Sequence, residues 1–273
     1  MPTTTVGGVT YYNLSHELTH NMPQWPSPFS PPLSTNRLQY HAMHDVYTVE
    51  YDGILHRGTH MDAPIHVQSD GPFMNDFELW KFFGTGVAVS VPKGKWEVIT
   101  AEDLEKATPQ IEPGDIVMIN TGSHRIYGDN DDYYSYSPGL IPESAQWLVD
   151  RGVKLVGIDV QALDHPLATR MVVHGPGPIL PQLIDEYREY TGREVADDFP
   201  DWEPSHHVLL MNGVPGIENV GGELDAVTGK RCTFMAFPTR FDQGDGSPVR
   251  IVAIVDPEQT FRIPQADLPG VSA

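Results

Sequence analysis

The sequence predicts an α/β protein, and three observations carry that expectation. Apolar runs rich in β-branched residues recur at 86–91, 115–120 and 153–159, each bounded by turn residues, as buried strands are. Between the second and third of them, 142–151 has the pattern of an amphipathic helix, with Pro142 at its start and Gly152 just past its end. A helix feeding a buried strand is the repeating step of an α/β layer. The 25 prolines and 25 glycines add many turns and exclude a helical bundle.

The other elements follow in chain order. Residues 11–18 read as a short strand. Residues 21–32 hold five prolines and form an extended loop, on which Trp25 and Phe29 either pin the chain to the core or wall a pocket. Residues 47–55 read as a strand running into a histidine-rich stretch, and 78–83 as a short apolar piece. Thr100 and Asp103 have the spacing of a capping box that opens a short helix. The acidic run 129–134 reads as a solvated loop, because Tyr134 stands where a calcium loop needs glycine. A helix is expected within 179–190 and another from Pro204 to Met211. Residues 213–220 turn back, and late strands fall at 232–238 and 249–255. With no repeat and no linker, 1–273 is expected to be a single domain, carrying an irregular insertion at about 160–203.

Composition narrows the function. Hydrophobic residues make up 40% and charged residues 20%, enough for a sizeable core without staples. Seventeen basic against 37 acidic residues give a formal charge of −20, which disfavours nucleic acid and anionic membrane as partners. Cys232 is the only cysteine, so neither an intrachain disulfide nor a cysteine-based zinc motif is available. Residues 1–12 lack the pattern of a signal peptide, and no apolar run has the length of a membrane span; a cytoplasmic protein is the expectation. There is no G-x-S-x-G elbow, no phosphate loop and no dinucleotide fingerprint. Metal chemistry is what remains.

That chemistry is concentrated in residues 56–66, HRGTHMDAPIH. His56, His60, Asp62 and His66 are separated by even intervals. An extended chain would turn all four to one side, with Arg57, Thr59, Met61 and Ile65 on the other. Gly58 and Pro64 argue against a helix, and Pro64 should end the strand near Ala63. Imidazole and carboxylate are ligands of zinc and manganese, and three of them leave a position open for water. The alternative is an exposed polar strand that gathers histidines by chance.

The stretch resembles the H-x-G-T-H-x-D-x-P-x-H signature of the metal-dependent cyclase-like amidohydrolase family, which includes kynurenine formamidase, isatin hydrolase and cyclic imide hydrolase. The opening segment 14–26, Asn120-Thr-Gly122, Gly157-Ile-Asp159 and an H-x(11)-E-N motif from His206 to Glu218 resemble it as well, so the likeness covers about 11–255. It implies a swivelling β/β/α fold with a mixed, barrel-like sheet and peripheral helices. It implies His56, His60 and Asp62 as metal ligands, with His206 and Glu218 on the far side of one or two ions, Zn2+ or Mn2+. The interval to Glu218 selects His206 over His207. His66 is implied as the proton-transferring histidine, with Glu218 as rival base. His16, His20, His41, His44, His124, His165 and His174 have no matching role.

The activity implied is hydrolysis of a C–N amide bond in a small molecule. A cation lowers the pKa of its water, the resulting hydroxide attacks a carbonyl, and His66 carries the proton to the leaving nitrogen. A cyclic amide or imide is the first expectation for the substrate. N-formylkynurenine, the substrate of an arylformamidase, is the second, and a non-catalytic metal-binding protein is the alternative of another class. Trp25 and Phe29, with Tyr47, are candidates for an aromatic substrate wall. The insertion either shapes the pocket or makes an oligomer contact. Family members are homodimers or homotetramers, which sets the expectation for this chain.

Overall fold

The structure, a computed structural model, describes residues 3–27, 30–172 and 179–258. Ten strands form one mixed, barrel-like sheet. From edge to edge they are Thr4–Val6, Val9–Asn13, Val252–Val255, Lys230–Met235, Phe83–Ser90, Ile116–Asn120, Leu155–Ile158, Gly216–Glu218, His60–Asp62 and Gly246–Pro248. The four consecutive strands from Phe83–Ser90 to Gly216–Glu218 are mutually parallel, and the other pairings are antiparallel.

The parallel strands are continuous apolar runs because both of their faces are covered. Val87, Val89, Val117, Ile119, Val156 and Ile158 pack in one cluster with Leu148 and Leu209, which lie on the helices Pro142–Asp150 and Pro204–Met211. Their alternates, Ala88, Met118 and Leu155, face a second cluster with Met61, Ile217 and Phe234. A third cluster lies apart from these two, where Leu167, Met171, Leu183 and Phe199 pack with Trp96, Tyr133 and Tyr134.

Most of the expected elements lie within a few residues of their expected bounds. The capping box is present, with Thr100 Oγ1 accepting from the Asp103 amide and Asp103 accepting from the Thr100 amide at 2.8 Å. The helix expected within 179–190 is Gln182–Thr191.

Three expectations need correction. The strand expected at 47–55 is Thr48–Asp52, which pairs only with Ser34–Gln39 in a separate hairpin and does not continue into the histidines. The acidic run 129–134 is not a solvated loop. Asn130 caps the helical turn Asp131–Tyr134, which buries Tyr133 and Tyr134. The extended stretch through His56, His60, Asp62 and His66 is a strand only at His60–Asp62. Gly58, at φ +57°, breaks the chain before it, and Pro64 opens the 3₁₀ turn that carries His66. A side chain on Gly58 would be strained at that φ and would also crowd Leu18 and Met22 at 2.9 Å.

Candidate metal centre

Strand register assembles the centre. In the antiparallel pair of His60–Asp62 with Gly216–Glu218, Glu218 stands opposite His60 and Gly216 opposite Asp62. On the other side Gly246 stands opposite Asp62, and a Cβ there would sit 2.8 Å from the His56 ring. Glycine at that position lets His56 reach the site from outside the strand. Period-two alternation puts His60 and Asp62 on one face and Met61 in the core. The helix Pro204–Met211 supplies His206.

The ligand-type atoms converge. His56 Nδ1 lies 2.7 Å from Asp62 Oδ1, and His60 Nε2 lies 3.4 Å from both Asp62 Oδ1 and Glu218 Oε2. His206 Nε2 lies 3.3 Å from Asp62 Oδ2 and 3.0 Å from Glu218 Oε1. Two trios, His56–His60–Asp62 and Asp62–His206–Glu218, share Asp62, and His56, His66 and Asp245 form a third group of ligand-type atoms at the cleft. Atoms coordinated tetrahedrally at the usual zinc bond lengths stand roughly 3.3 Å from one another. Asp62 is 1% exposed, and although imidazole nitrogens of His56 and His206 stand 2.7 and 3.3 Å from its oxygens, neither oxygen accepts a well-directed hydrogen bond among the described residues. A buried carboxylate left so would be costly, and a divalent cation satisfies it. The residues present therefore fit a metal.

Each histidine is turned by a partner on its other nitrogen. His60 Nδ1 is 2.9 Å from the Gly58 carbonyl, so it carries the proton and leaves Nε2 as an acceptor. His206 Nδ1 is 2.7 Å from Asp164 Oδ2, and His56 Nε2 is 3.0 Å from Asp245 Oδ2. Carboxylate or carbonyl partners of this kind fix the tautomer of metal-binding imidazoles. Asp164 is itself anchored by the Ser205 and His206 amides at the start of their helix.

The protonation directions follow from the same contacts. Burial pushes the His60 imidazole down, and the charges of Asp62 and Glu218 do not overcome it. Burial also opposes protonation of His56, but Asp62 and Asp245 outweigh it and raise it to about 10. For His206, the Asp164 hydrogen bond and Glu218 overcome burial and hold it well above the usual histidine value. Asp62 is buried, but His56 and His60 keep its carboxyl well below the carboxylate range. The cluster attracts positive charge, which a cation supplies as readily as protons.

Beside the trios lies His66, its ring 4.0 Å from that of His56 and its Nδ1 3.6 Å from Asp245 Oδ2. It is a third exposed and lines a cleft of about 330 Å³ together with His56, His60, His206, Glu218 and Trp25. Phe29 and His174 lie outside the described residues. Tyr47 does not belong to this wall: it sits on the hairpin, 52% exposed, with its hydroxyl on Arg37 Nε. His207 packs edge-on against Trp202, outside the trios. Among the histidines without an expected role, His124 is held 2.9 Å from the buried Asp159, His16 stacks on Tyr127, and His165 stacks on Phe199.

The sequence reading missed Asp164, Asp245, Glu203 and Gln161. Asp164 and Asp245 orient ligand-type histidines and come from loops with no motif of their own. Glu203 lines the cleft from a left-handed backbone at φ 43°, and burial pushes its carboxyl up. Tyr133 was also missed; its hydroxyl donates to Asn219 Oδ1 at 2.7 Å and holds the residue next to Glu218. The segment between the ligands is tied down as well, because Arg57 donates from Nη2 to the Pro31 carbonyl at the end of the proline-rich loop.

Fold, converging ligand set and cleft together define a mixed α/β protein with a candidate metal centre at a small-molecule cleft. The cyclase family model matches residues 12–165, more than half of the sequence, and the chain belongs to that family. A kynurenine formamidase of Bacillus cereus is 26% identical over 244 residues, covering 89% of this chain and 96% of the relative. Isatin hydrolase A from Ralstonia solanacearum superposes with a TM-score of 0.73 at 20% identity, covering 92% of this chain and 93% of that one. A potential metal-dependent hydrolase with cyclase activity superposes at 0.63, also at 20% identity, covering 94% of this chain and all of the other.

Proposed function

We propose that this protein hydrolyses a C–N amide bond in a small cyclic amide or imide. The observation that carries the reading is the buried Asp62 carboxylate shared by two trios of ligand-type atoms that open on a small cleft. His56, His60, Asp62, His206 and Glu218 would hold one or two divalent ions, Zn2+ or Mn2+. Glu218 fits a ligand better than a free base, because its two oxygens face His206 and His60. When bound, the ion supplies Lewis acidity and a water acidic enough to react at neutral pH.

The chain's own residues do the rest. With Nδ1 turned to Asp245, His66 has Nε2 for proton transfer. The water oxygen bonds to the carbonyl carbon, the C–N bond breaks, and the proton His66 takes from water goes to the departing nitrogen. Trp25 offers an apolar wall to a planar ring. A cleft of about 330 Å³ is at the lower end for small-molecule sites and suits one or two fused rings.

A second reading, arylformamidase action on N-formylkynurenine, draws support from Arg170. Its guanidinium lines the cleft, and Nε has no hydrogen-bond partner among the described residues. An amino-acid carboxylate would pair with it. Metal-replete protein assayed on phthalimide, isatin and N-formylkynurenine separates the readings. Turnover of the cyclic substrates supports the first, turnover of N-formylkynurenine alone supports the second, and turnover of none removes both.

We also propose that the protein acts as a homodimer or homotetramer of a single-domain subunit. The hairpin 34–52 exposes Leu38, Met43, Val46 and Val49, a patch suited to a second copy. A monomeric mass by light scattering would overturn this.

A further inference from the structure

Gln161 follows the strand Leu155–Ile158, is 4% exposed, and lines the cleft together with His56, His60, His66 and Glu218. Neither its amide nitrogen nor its amide oxygen has a hydrogen-bond partner among the described residues. The backbone on both sides is fixed to the metal centre. The Val160 carbonyl accepts from the Asn219 amide at 2.8 Å, and the Leu163 amide donates to Glu218 Oε1 at 2.8 Å. A buried carboxamide with both ends unmet is rare in native proteins and calls for a reason. Beside a substrate cleft, the reason is a ligand group that matches it.

We infer that Gln161 reads the N–H and adjacent carbonyl of a cyclic imide, the ring unit –CO–NH–CO–, and is the specificity-determining residue of this site. The inference rests on the amide-hydrolase reading above and narrows its substrate class. A carboxamide head offers a donor and an acceptor side by side. A small ring forces its amide cis, which puts N–H and C=O on one edge and allows two parallel hydrogen bonds with Gln161. A trans linear amide has them on opposite edges and makes one. A lactam whose only adjacent carbonyl is the one attacked must give up that bond as it reacts. An imide has a second carbonyl, so one pairs with Gln161 throughout while the other is hydrolysed. The water oxygen bonds to the attacked carbon, that carbon's bond to nitrogen breaks, and the proton carried by His66 goes to nitrogen. The product is a carboxylic acid bearing a primary amide, which Gln161 still holds.

The test compares phthalimide with N-methylphthalimide, which lacks the N–H, on wild-type protein, Gln161→Met and Gln161→Ala. Wild type should prefer phthalimide in kcat/KM by about 10–100-fold, the effect of leaving a buried acceptor unmet. In both variants the preference should fall to within about threefold, with metal content unchanged. A readout without turnover is the calorimetric Kd of isoindolin-1-one, which should weaken about tenfold in Gln161→Met. A wild type that treats both imides alike, or a preference that survives in the variants, overturns the inference and leaves amide hydrolysis standing. Metal-replete protein that hydrolyses no amide substrate removes the underlying reading, while unequal binding of isoindolin-1-one would still assign the Gln161 contact.

Discussion

His56, His60 and Asp62 come from seven consecutive residues, whereas His206 and Glu218 come from a helix and a strand far along the chain. The near half is placed by strand alternation and by glycines at 58 and 246 that let His56 swing in. The far half is placed by parallel pairing of Gly216–Glu218 with Leu155–Ile158 and by Asp164 at the start of the 204–211 helix. The near half leans on local backbone with distant support from Asp245 and Gly246, and the far half rests on the tertiary core. Asp62 belongs to both.

Stoichiometry is the sharpest way to break this comparison. We predict that His60→Ala abolishes binding in the near trio, read by elemental analysis. If one ion spans both halves, His206→Ala empties the site equally. If two ions bind, each variant keeps one. Full metal content in both variants would refute the ligand assignment. Next in size is His66→Ala, which should leave metal content intact and lower kcat by about 10²–10⁴-fold, the usual contribution of a general acid–base. A loss of metal there would make His66 a ligand instead.

Asp164→Asn should weaken metal affinity by about 10–100-fold, measured by chelator competition, because the carboxylate no longer orients His206. The corresponding Asp245→Asn should cost less, since Asp245 is nearly half exposed. Equal losses would mean that the far half is no more dependent on its support than the near half. Tyr133→Phe should lower stability by about 1–3 kcal/mol by leaving Asn219 Oδ1 unmet, read by urea denaturation.

The smallest expected effect is on pH. Burial lowers His165 to about 4, against about 6.5 when unfolded. The unfolded chain therefore takes the proton first. Stability from this residue is complete above pH ~6.5 and declines as pH falls towards ~4. Tm of His165→Asn should be flatter than wild type across that window. An identical slope would show that other groups set the acid limb.

The same contrast explains what the sequence revealed. The parallel strands were legible as apolar runs because both faces of the sheet are buried. Residues 56–66 were legible because their ligand types are crowded together, and His206 and Glu218 only through resemblance to a family. Even spacing misled at His56 and His66, because Gly58 and Pro64 end the extended chain while side-chain reach still closes the trio. Asp164, Asp245 and Gln161 were silent. Their roles arise from strand order and loop packing, and neither leaves a local period. At Tyr133 and Tyr134 the acidic neighbours suggest solvent and hide a capped turn that faces the cluster around Leu167 and Phe199.

Arg57 carries one more consequence. Its bond to the Pro31 carbonyl joins the wall loop, which bears Trp25, to the segment between His56 and His60. We predict that this tether couples ordering of the Trp25 loop to ordering of the ligand-bearing segment. An ion should then favour the ligand and the ligand the ion by the same factor, as thermodynamic reciprocity requires. Titrating zinc with and without isoindolin-1-one, in wild type and in Arg57→Met, would show whether that mutual preference disappears with the tether.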